Sequence, residues 1–391
     1  MTNPKHTTSK SPYSLGRTAR RLGAAAAGGL VLFAAGALVV QTGAWHRFTT
    51  AVGATPAAPA PAASREAVEA AARQAMLAAR AERKKDKEGK VAAPLQPTGP
   101  DGYFVPPTEA ELPDGPEGEA IRRGRDIFID TPRHAQRYVG NSMACAQCHL
   151  DAGRRENAAP MWAAYVQYPK YRAKNNKVNT LEERINGCFN YSMNAQASEA
   201  GKAPPPGDDI YKDLMIYMYW LADGAPTGEE MRGGGYLKVK ETDLGYDYQR
   251  GARVFAQNCA LCHGDDGQGR KDESGKLRFP PLWGPEAYNW GAGMARIDTA
   301  AGFIKANMPL GKPYSLSDQE AWDAAAYINS HERPKDPRQT GSIEEAREKF
   351  HKNEKSYYGK EVNGRILGVG VARAAGAGHG TATLAAAAAK D

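Results

Sequence analysis

The sequence contains few cysteines and carries little net charge. Five cysteines among 391 residues are too sparse for a disulfide-stabilised scaffold, whose cysteines are dense and even in number. The formal net charge is only +7 at pH 7, and nucleic-acid-binding proteins show denser basic clusters than this chain does. Nucleic acid is therefore not an expected partner, and the cysteines become the informative residues.

Long apolar runs are also scarce, and the one that stands out lies near the N terminus. Residues 22–45 contain no charged side chain, and roughly 20 apolar helical residues span the hydrocarbon core of a bilayer. Arg17, Arg20 and Arg21 precede this run, so the positive-inside rule keeps residues 1–21 in the cytoplasm. We expect an inner-membrane anchor that places the rest of the chain in the periplasm. A cleaved signal peptide is the alternative, with the same exported location.

Low-complexity segments flank the part of the chain that can build a core. Residues 46–116 are rich in Ala, Pro and charged side chains and predict a linker, and residues 359–391 predict a low-complexity tail. The interval between them has room for two domains of ordinary size. We place the first at 117–235 and the second at 236–358.

One pattern occurs in both predicted domains. Each contains a Cys-x-x-Cys-His pentad, preceded by a Gly-x-x-x-Phe step and followed by a Pro-x-Trp loop. Each ends in an apolar helix, at residues 210–222 and 318–330, and no segment alternates convincingly like a strand. Repetition of so long a unit predicts an all-α fold of two tandem domains. The first pentad supplies Cys145, Cys148 and His149, and the second supplies Cys259, Cys262 and His263.

The pentads are typical of covalent haem attachment. Two thiols at this spacing form thioether bonds to the haem, and the adjacent histidine binds the iron. A zinc site would need further Cys or His residues at ligand spacing, and a redox dithiol would need a βαβ pattern. Neither is present in the sequence, so we expect two covalently attached haem c groups.

Each haem needs a sixth ligand. Met308 lies 45 residues after His263, in an Asn-Met-Pro run before the last helix, with Lys305 as a possible alternative. In the first domain, the fifth cysteine, Cys188, lies 39 residues after His149 and so takes the equivalent place. Met193 and an inert role for Cys188 are the competing interpretations. Thiolate ligation donates charge to iron and lowers its potential.

Residues 117 to about 350 resemble the dihaem thiosulfate dehydrogenases that form tetrathionate. The similarity rests on CAQCHLDAGR, LEERINGCFNYSMN, CALCHGDDGQG and FIKANMPLGKPYSLSDQEAWDAAAYI. It implies two class I cytochrome c-like domains in tandem, with a His/Cys-ligated haem at the active site. It also implies a second haem that passes electrons on while two thiosulfates are joined. Cys188, Arg184 and Ser192 match the family's motif, whereas Lys174 and Lys177 stand where family members often carry arginine.

A basic segment precedes Cys188 in the sequence and flanks the predicted site of the first haem. Thiosulfate is a dianion, so joining two of them requires fixed positive charge, and arginine grips oxyanions better than lysine. We expect a catalytic set of Cys188, Arg184, Ser192 and Lys174, with a transient sulfur adduct on Cys188. The flanking cations are Arg154, Arg155, Lys170, Arg172, Lys174, Lys177 and Arg184.

Two other functions compete with thiosulfate oxidation. The chain is also readable as a membrane-anchored dihaem electron-transfer cytochrome, or as a sulfur-carrying cytochrome of a thiosulfate-oxidising complex. The expected electron acceptor is a cytochrome c or a membrane oxidase, and the reaction direction is left open between thiosulfate oxidation and tetrathionate reduction.

Overall fold

The computed structural model describes residues 101–172, 176–273 and 275–373. These all belong to one compact unit, Ala92–Asp391. Within the described ranges, no helix has the length and apolarity needed to cross a membrane. The predicted cytoplasmic tail 1–21, the predicted anchor 22–45 and most of the predicted linker lie outside the described residues.

The described chain is rich in helices. In the first half these are α1 (Gly115–Ile129), α2 (Thr131–His134), α3 (Leu150–Gly153), α4 (Met161–Gln167), α5 (Leu181–Tyr191) and α6 (Asp209–Leu221). The second half holds α7 (Tyr248–Asn258), α8 (Ala260–His263), α9 (Ile297–Asn307), α10 (Asp318–Asn329) and α11 (Ile343–Phe350). Short 3-10 turns occur at Glu109–Glu111, Gln136–Tyr138, Cys145–Gln147, Ala195–Ala197 and Gly293–Ala295.

Three short antiparallel hairpins accompany the helices, a detail that the all-α prediction did not contain. The pairs are β1 (Lys170–Arg172) with β2 (Lys177–Asn179), β3 (Arg270–Lys271) with β4 (Leu277–Phe279), and β5 (Glu361–Val362) with β6 (Arg365–Ile366). Strands of two or three residues are too short to produce a visible alternation of apolar and polar side chains, so the sequence pattern misses them.

Close helix crossings explain the two Gly-x-x-x-Phe steps. Helix α1 crosses α6 at Gly124, where a Cβ atom would lie 2.0 Å from the carbonyl oxygen of Asp213. Helix α7 crosses α10 at Gly251 in the same way, with 1.9 Å to the carbonyl oxygen of Asp323. Only glycine permits this backbone approach. The repeated sequence therefore builds the same helix pair twice.

Within each of these helix pairs, an equivalent ion pair joins the two helices. In the first, Arg123 Nε lies 3.1 Å from a carboxylate oxygen of Asp213. In the second, Arg250 Nε lies 2.8 Å from Asp323, whose side chain is only 3% exposed. The corresponding aromatic contacts repeat as well, because Phe128 packs on Tyr217 and Phe255 on Tyr327.

The first hydrophobic core includes residues from the predicted linker and from the predicted tail. Phe104, inside the predicted linker, is buried against Trp162 with ring centroids 5.4 Å apart. Leu367, inside the predicted tail, is fully buried in the first core together with Trp290 and Tyr358. Isolated apolar residues among Pro and Gly show no periodicity, so composition alone does not reveal that they are buried.

Candidate active site

Helix α5 positions Arg184 and Cys188 on one face. The helix begins at a capping box, in which Glu183 N–H donates to Thr180 Oγ1 and Thr180 N–H donates to the Glu183 carboxylate. Residues four apart on a helix are neighbours, so the Arg184 side chain reaches the cysteine. Its Nη1 donates to Cys188 Sγ at 3.0 Å.

His149 of the first pentad faces the same sulfur. Its Nδ1 lies 2.7 Å from the carbonyl oxygen of Ala159, and because a carbonyl only accepts, Nδ1 carries the hydrogen. Nε2 is then the nitrogen on the side of Cys188, as in metal-binding histidines oriented by a second partner. His149 also hydrogen-bonds Cys188. The two ligands predicted for the first haem are therefore brought together from separate segments of the chain.

The surroundings of Cys188 favour its thiolate. Burial by itself would raise the pKa of this thiol, but the charge of Arg184 and the hydrogen bond and charge of His149 outweigh burial and lower the pKa to about 6. The pKa of the Arg184 guanidinium is raised, chiefly by the charge of Cys188. By contrast, burial raises the pKa of Cys145 and of Cys148 to about 12. Cys188, unlike Cys145 and Cys148, is thus prepared as an anionic sulfur at neutral pH.

Of the two remaining predicted catalytic residues, Ser192 is described by the structure and Lys174 is not. Ser192 directly follows α5, and its N–H donates to the carbonyl oxygen of Cys188 at 2.8 Å. Lys174 lies in the segment 173–175, outside the described residues. Lys177, another cation of the basic segment, has a separate partner: its Nζ lies 2.7 Å from a carboxylate oxygen of Glu183.

The second pentad repeats the arrangement of the first. His263 Nδ1 donates to the carbonyl oxygen of Pro280 at 2.8 Å, which again leaves Nε2 for a metal. Burial lowers the pKa of His263, so the imidazole is neutral and able to coordinate. Burial, with a smaller effect from Cys262, raises the pKa of Cys259 to about 11.

The structure distinguishes the two candidate sixth ligands of the second haem. Lys305 Nζ donates to the carbonyl oxygen of Leu316 at 2.6 Å and pairs with Asp318 at 3.1 Å. Met308 directly follows α9 and packs against the second core, which Cys259 also contacts. The lysine ammonium is already engaged, so this geometry favours Met308.

Comparison with known proteins places the chain in a family. It is 51% identical over 273 residues to "Thiosulfate dehydrogenase" of Stutzerimonas stutzeri, a match that covers 69% of this chain and 87% of that protein. The chain belongs to the thiosulfate dehydrogenase family. "Thiosulfate dehydrogenase" of Thiomonas intermedia is 50% identical over 270 residues, which cover 69% of this chain and 84% of that protein.

The two halves of this thiosulfate dehydrogenase family member match different cytochrome families. Residues 134–226 match "SoxA/TsdA, cytochrome c domain", and residues 247–328 match "Cytochrome C oxidase, cbb3-type, subunit III". The solved structure "Thiosulfate dehydrogenase (TsdBA)" of Marichromatium purpuratum is 51% identical, with a TM-score of 0.67. That match covers 69% of this chain and 58% of the solved chain. The prediction of two cytochrome c domains is thereby confirmed.

The residues present fit haem c. Each pentad offers two thiols for the edge of a porphyrin and one imidazole whose Nδ1 is anchored, so that Nε2 is directed for iron. In the first site the predicted sixth ligand, Cys188, would offer a sulfur that carries negative charge, and in the second the predicted Met308 would offer a thioether. Different ligand sets give haems different redox potentials.

Tyr236 is a site residue that the sequence analysis missed. Burial raises the pKa of its phenol, and the nearby charges of Cys148 and Cys188 add to this against the opposing effect of Arg184. The hydroxyl therefore stays protonated and able to donate a hydrogen bond. Tyr236 follows a run of glycines and carries no motif, and a backbone bridge to Ala158 brings it to the site.

Proposed function

We propose that the protein oxidises two thiosulfate ions to tetrathionate at Cys188, and that the reaction is reversible. The observation that carries this proposal is the contact of 3.0 Å between Arg184 Nη1 and Cys188 Sγ, opposite the anchored His149. An arginine-stabilised thiolate is a sulfur nucleophile placed beside fixed positive charge. Membership of the thiosulfate dehydrogenase family supports thiosulfate as the substrate.

Two covalently attached haems are part of the proposal. Cys145, Cys148 and His149 would hold the first, with Cys188 as sixth ligand. The second would be held by Cys259, Cys262 and His263, with Met308 as sixth ligand. Each haem would supply a one-electron acceptor, and two of them would match the two electrons that thiosulfate coupling releases.

The proposed sulfur chemistry at Cys188 conserves atoms, charge and electrons. The Cys188 thiolate joins the outer sulfur of one thiosulfate, forming a Cys–S–S–SO₃⁻ adduct as two electrons leave. A second thiosulfate then attacks that outer sulfur, so that the bond to Cys188 breaks, tetrathionate departs and the thiolate is restored. No proton is consumed or released in either step.

Arg184 has two tasks in this scheme. It keeps Cys188 anionic before the first step and again when the thiolate leaves in the second. Its guanidinium also offsets the repulsion between a dianionic substrate and the thiolate, which in a buried site is much stronger than in water. The neutral Tyr236 hydroxyl adds a donor without adding negative charge.

The proposed location is the periplasmic face of the inner membrane, with residues 22–45 as the anchor. The apolar run and the arginines before it support this location. A cytochrome c or a membrane oxidase near the bilayer is the proposed acceptor of the electrons.

The test is steady-state oxidation of thiosulfate by the purified full chain with ferricyanide, beside a Cys188→Ala variant. We expect tetrathionate from the unaltered protein and a loss of turnover of more than 100-fold in the variant, with the content of covalent haem unchanged. Full turnover by the variant would contradict the proposal. Electron exchange without tetrathionate in the unaltered protein would instead identify an electron-transfer cytochrome.

A further inference from the structure

Asn157 of the first domain contacts the second domain on both sides of Met308. The methionine begins the loop 308–317, which joins α9 to α10. Just before this loop, Asn307 Nδ2 donates to the carbonyl oxygen of Asn157 at 3.2 Å. Within the loop, the Tyr314 hydroxyl accepts a hydrogen bond from the side-chain Nδ2 of Asn157 at 2.9 Å. A single residue of the first domain therefore holds the methionine loop at two points.

Both asparagines are buried. The exposed fraction is 7% for Asn157 and 1% for Asn307. Asn307 Nδ2 also donates to the carbonyl oxygen of Phe303 at 3.0 Å, one turn earlier in α9. A buried amide that loses its partner does not readily gain water in exchange, so breaking one of these bonds leaves a polar group unsatisfied. The connection between the loop and the first domain is therefore a lasting part of the fold.

The backbone of Asn157 belongs to the segment that orients His149. The N–H groups of Asn157 and Ala159 donate to carbonyl oxygens in the segment 233–235, at 2.8 and 3.0 Å. The Ala159 carbonyl oxygen in turn accepts the hydrogen bond from His149 Nδ1 at 2.7 Å. The φ angles of Asn157 and Ala159 are +57° and +50°, which residues with a Cβ adopt only where surrounding contacts hold them. The anchor of His149 thus lies two residues from the contact with the Met308 loop.

The strip 233–237 also packs against α9. The rings of Tyr236 and Phe303 meet edge to face, with centroids 6.0 Å apart. A Cβ atom at Gly302 would lie 1.9 Å from the carbonyl oxygen of Leu237, so only glycine permits this approach. The helix that ends directly before the methionine therefore rests on the same strip that supports the first site.

We propose that Asn157 is a positioning residue that holds Met308 in place for the second haem, from the segment that orients His149 for the first. The inference rests on the proposed function in one respect, since it takes Met308 as the sixth ligand. A thioether is an uncharged and weak electron donor, so its attachment to iron depends on how firmly the loop presents it. Contacts behind a ligand orient that ligand and tune the metal. The sixth ligand of one haem would thereby depend on the domain of the other.

The test uses Tyr314→Phe and Asn157→Gly in the full-length haem-loaded protein. Tyr314→Phe removes the hydroxyl and keeps the ring, whereas Asn157→Gly removes the amide and suits the left-handed backbone. The charge-transfer band between methionine sulfur and ferric iron reports the intact ligand, and a titration with imidazole measures how readily an outside ligand displaces it. Only the second haem contributes this band, because the proposed sixth ligand of the first is a thiolate.

Both variants should weaken the hold on the loop. Each loses the same hydrogen bond between side chains, so the imidazole concentration that abolishes half of the band should fall about 2- to 12-fold. When both substitutions are combined, the changes should be less than additive, because the second one removes a bond that the first has already broken.

An unchanged imidazole concentration in Tyr314→Phe would overturn the inference, and so would additive changes in the variant that carries both substitutions. If Asn157→Gly does not accumulate, Tyr314→Phe decides alone. Tyr246→Phe is the matched control, because the Tyr246 hydroxyl donates to the carbonyl oxygen of Glu354 at 3.1 Å rather than to the Met308 loop. An equal change in Tyr246→Phe would show that the effect is not specific, and the inference would fail.

The same measurements separate this inference from the proposed function. A methionine band that is equally stable in every variant overturns the role of Asn157 and leaves the ligand assignment intact. A band that is missing from the unaltered protein overturns the assignment of Met308 and this inference with it. Neither result depends on thiosulfate, because no substrate is present in the titration.

Discussion

Replacing Arg184 by glutamine tests the chemical centre of the site. The arginine donates to Cys188 Sγ at 3.0 Å, and a hydrogen bond to a charged group contributes about 1.5–3 kcal/mol. Because 1.36 kcal/mol corresponds to a tenfold change, kcat/KM for thiosulfate should fall about 10- to 150-fold. The kcat/KM of Arg184→Lys should lie between those of Arg184→Gln and the unaltered protein, because lysine keeps the positive charge but lacks the planar guanidinium.

The pH dependence separates this role from a merely structural one. Burial raises the pKa of the Cys188 thiol, whereas the charge of Arg184 lowers it, so Arg184 keeps the thiolate present at lower pH, and the thiolate is lost as the pH falls further. Without Arg184, burial dominates and the pKa rises. The acidic limb of kcat/KM against pH should therefore move to higher pH in Arg184→Gln, and raising the pH should recover part of the activity.

The assay is thiosulfate oxidation with ferricyanide between pH 5 and 9, with haem content measured on each sample. Arg172→Gln is the matched control, because it removes a guanidinium from the same basic segment. That guanidinium donates to the Tyr168 hydroxyl at 2.7 Å. A kcat/KM for Arg184→Gln within twofold of the unaltered protein, with an unmoved pH limb, would refute the reasoning.

Three other substitutions or measurements test separate parts of the structure. Met308→Ala should change the spectrum and potential of the second haem, whereas Lys305→Ala, which loses the hydrogen bond to Leu316 and the ion pair with Asp318, should leave both unchanged; the opposite result contradicts the ligand assignment. Asp336→Asn should destabilise the protein by about 3–5 kcal/mol, because it leaves the largely buried Arg338 without its counter-charge, and thermal unfolding measures the loss. Burial would raise the pKa of Asp336, but its hydrogen bonds from His351 and Arg338 outweigh burial and lower the pKa, so its contribution to stability is present above about pH 4 and is lost progressively as the pH falls below that value. Replacing residues 22–45 with a cleavable export signal should release active protein from the membrane fraction. A chain that stays in the membrane fraction would contradict the predicted anchor.

The sequence predicted those parts of the site that depend on local spacing. Two thiols and an imidazole within five residues predict a haem attachment wherever the chain folds, and the repeated Gly-x-x-x-Phe step indicated a duplicated domain. These inferences needed no knowledge of distant contacts. The structure added that Gly124 and Gly251 lie at close helix crossings and that Arg184 and Cys188 share one helical face.

Other features depend on residues far apart in the chain, and only the tertiary structure decided them. Sequence spacing does not show that Lys305 is engaged by Leu316 and Asp318, or that Tyr236 joins the Cys188 site. The contacts of Asn157 with Asn307 and Tyr314 are equally invisible in the sequence. Each depends on which surfaces meet when the helices pack, and that packing determines where a charge loses water and must find a partner. Short sequence motifs therefore indicate the local chemistry, whereas the fold determines the pKa values and the cofactor contacts.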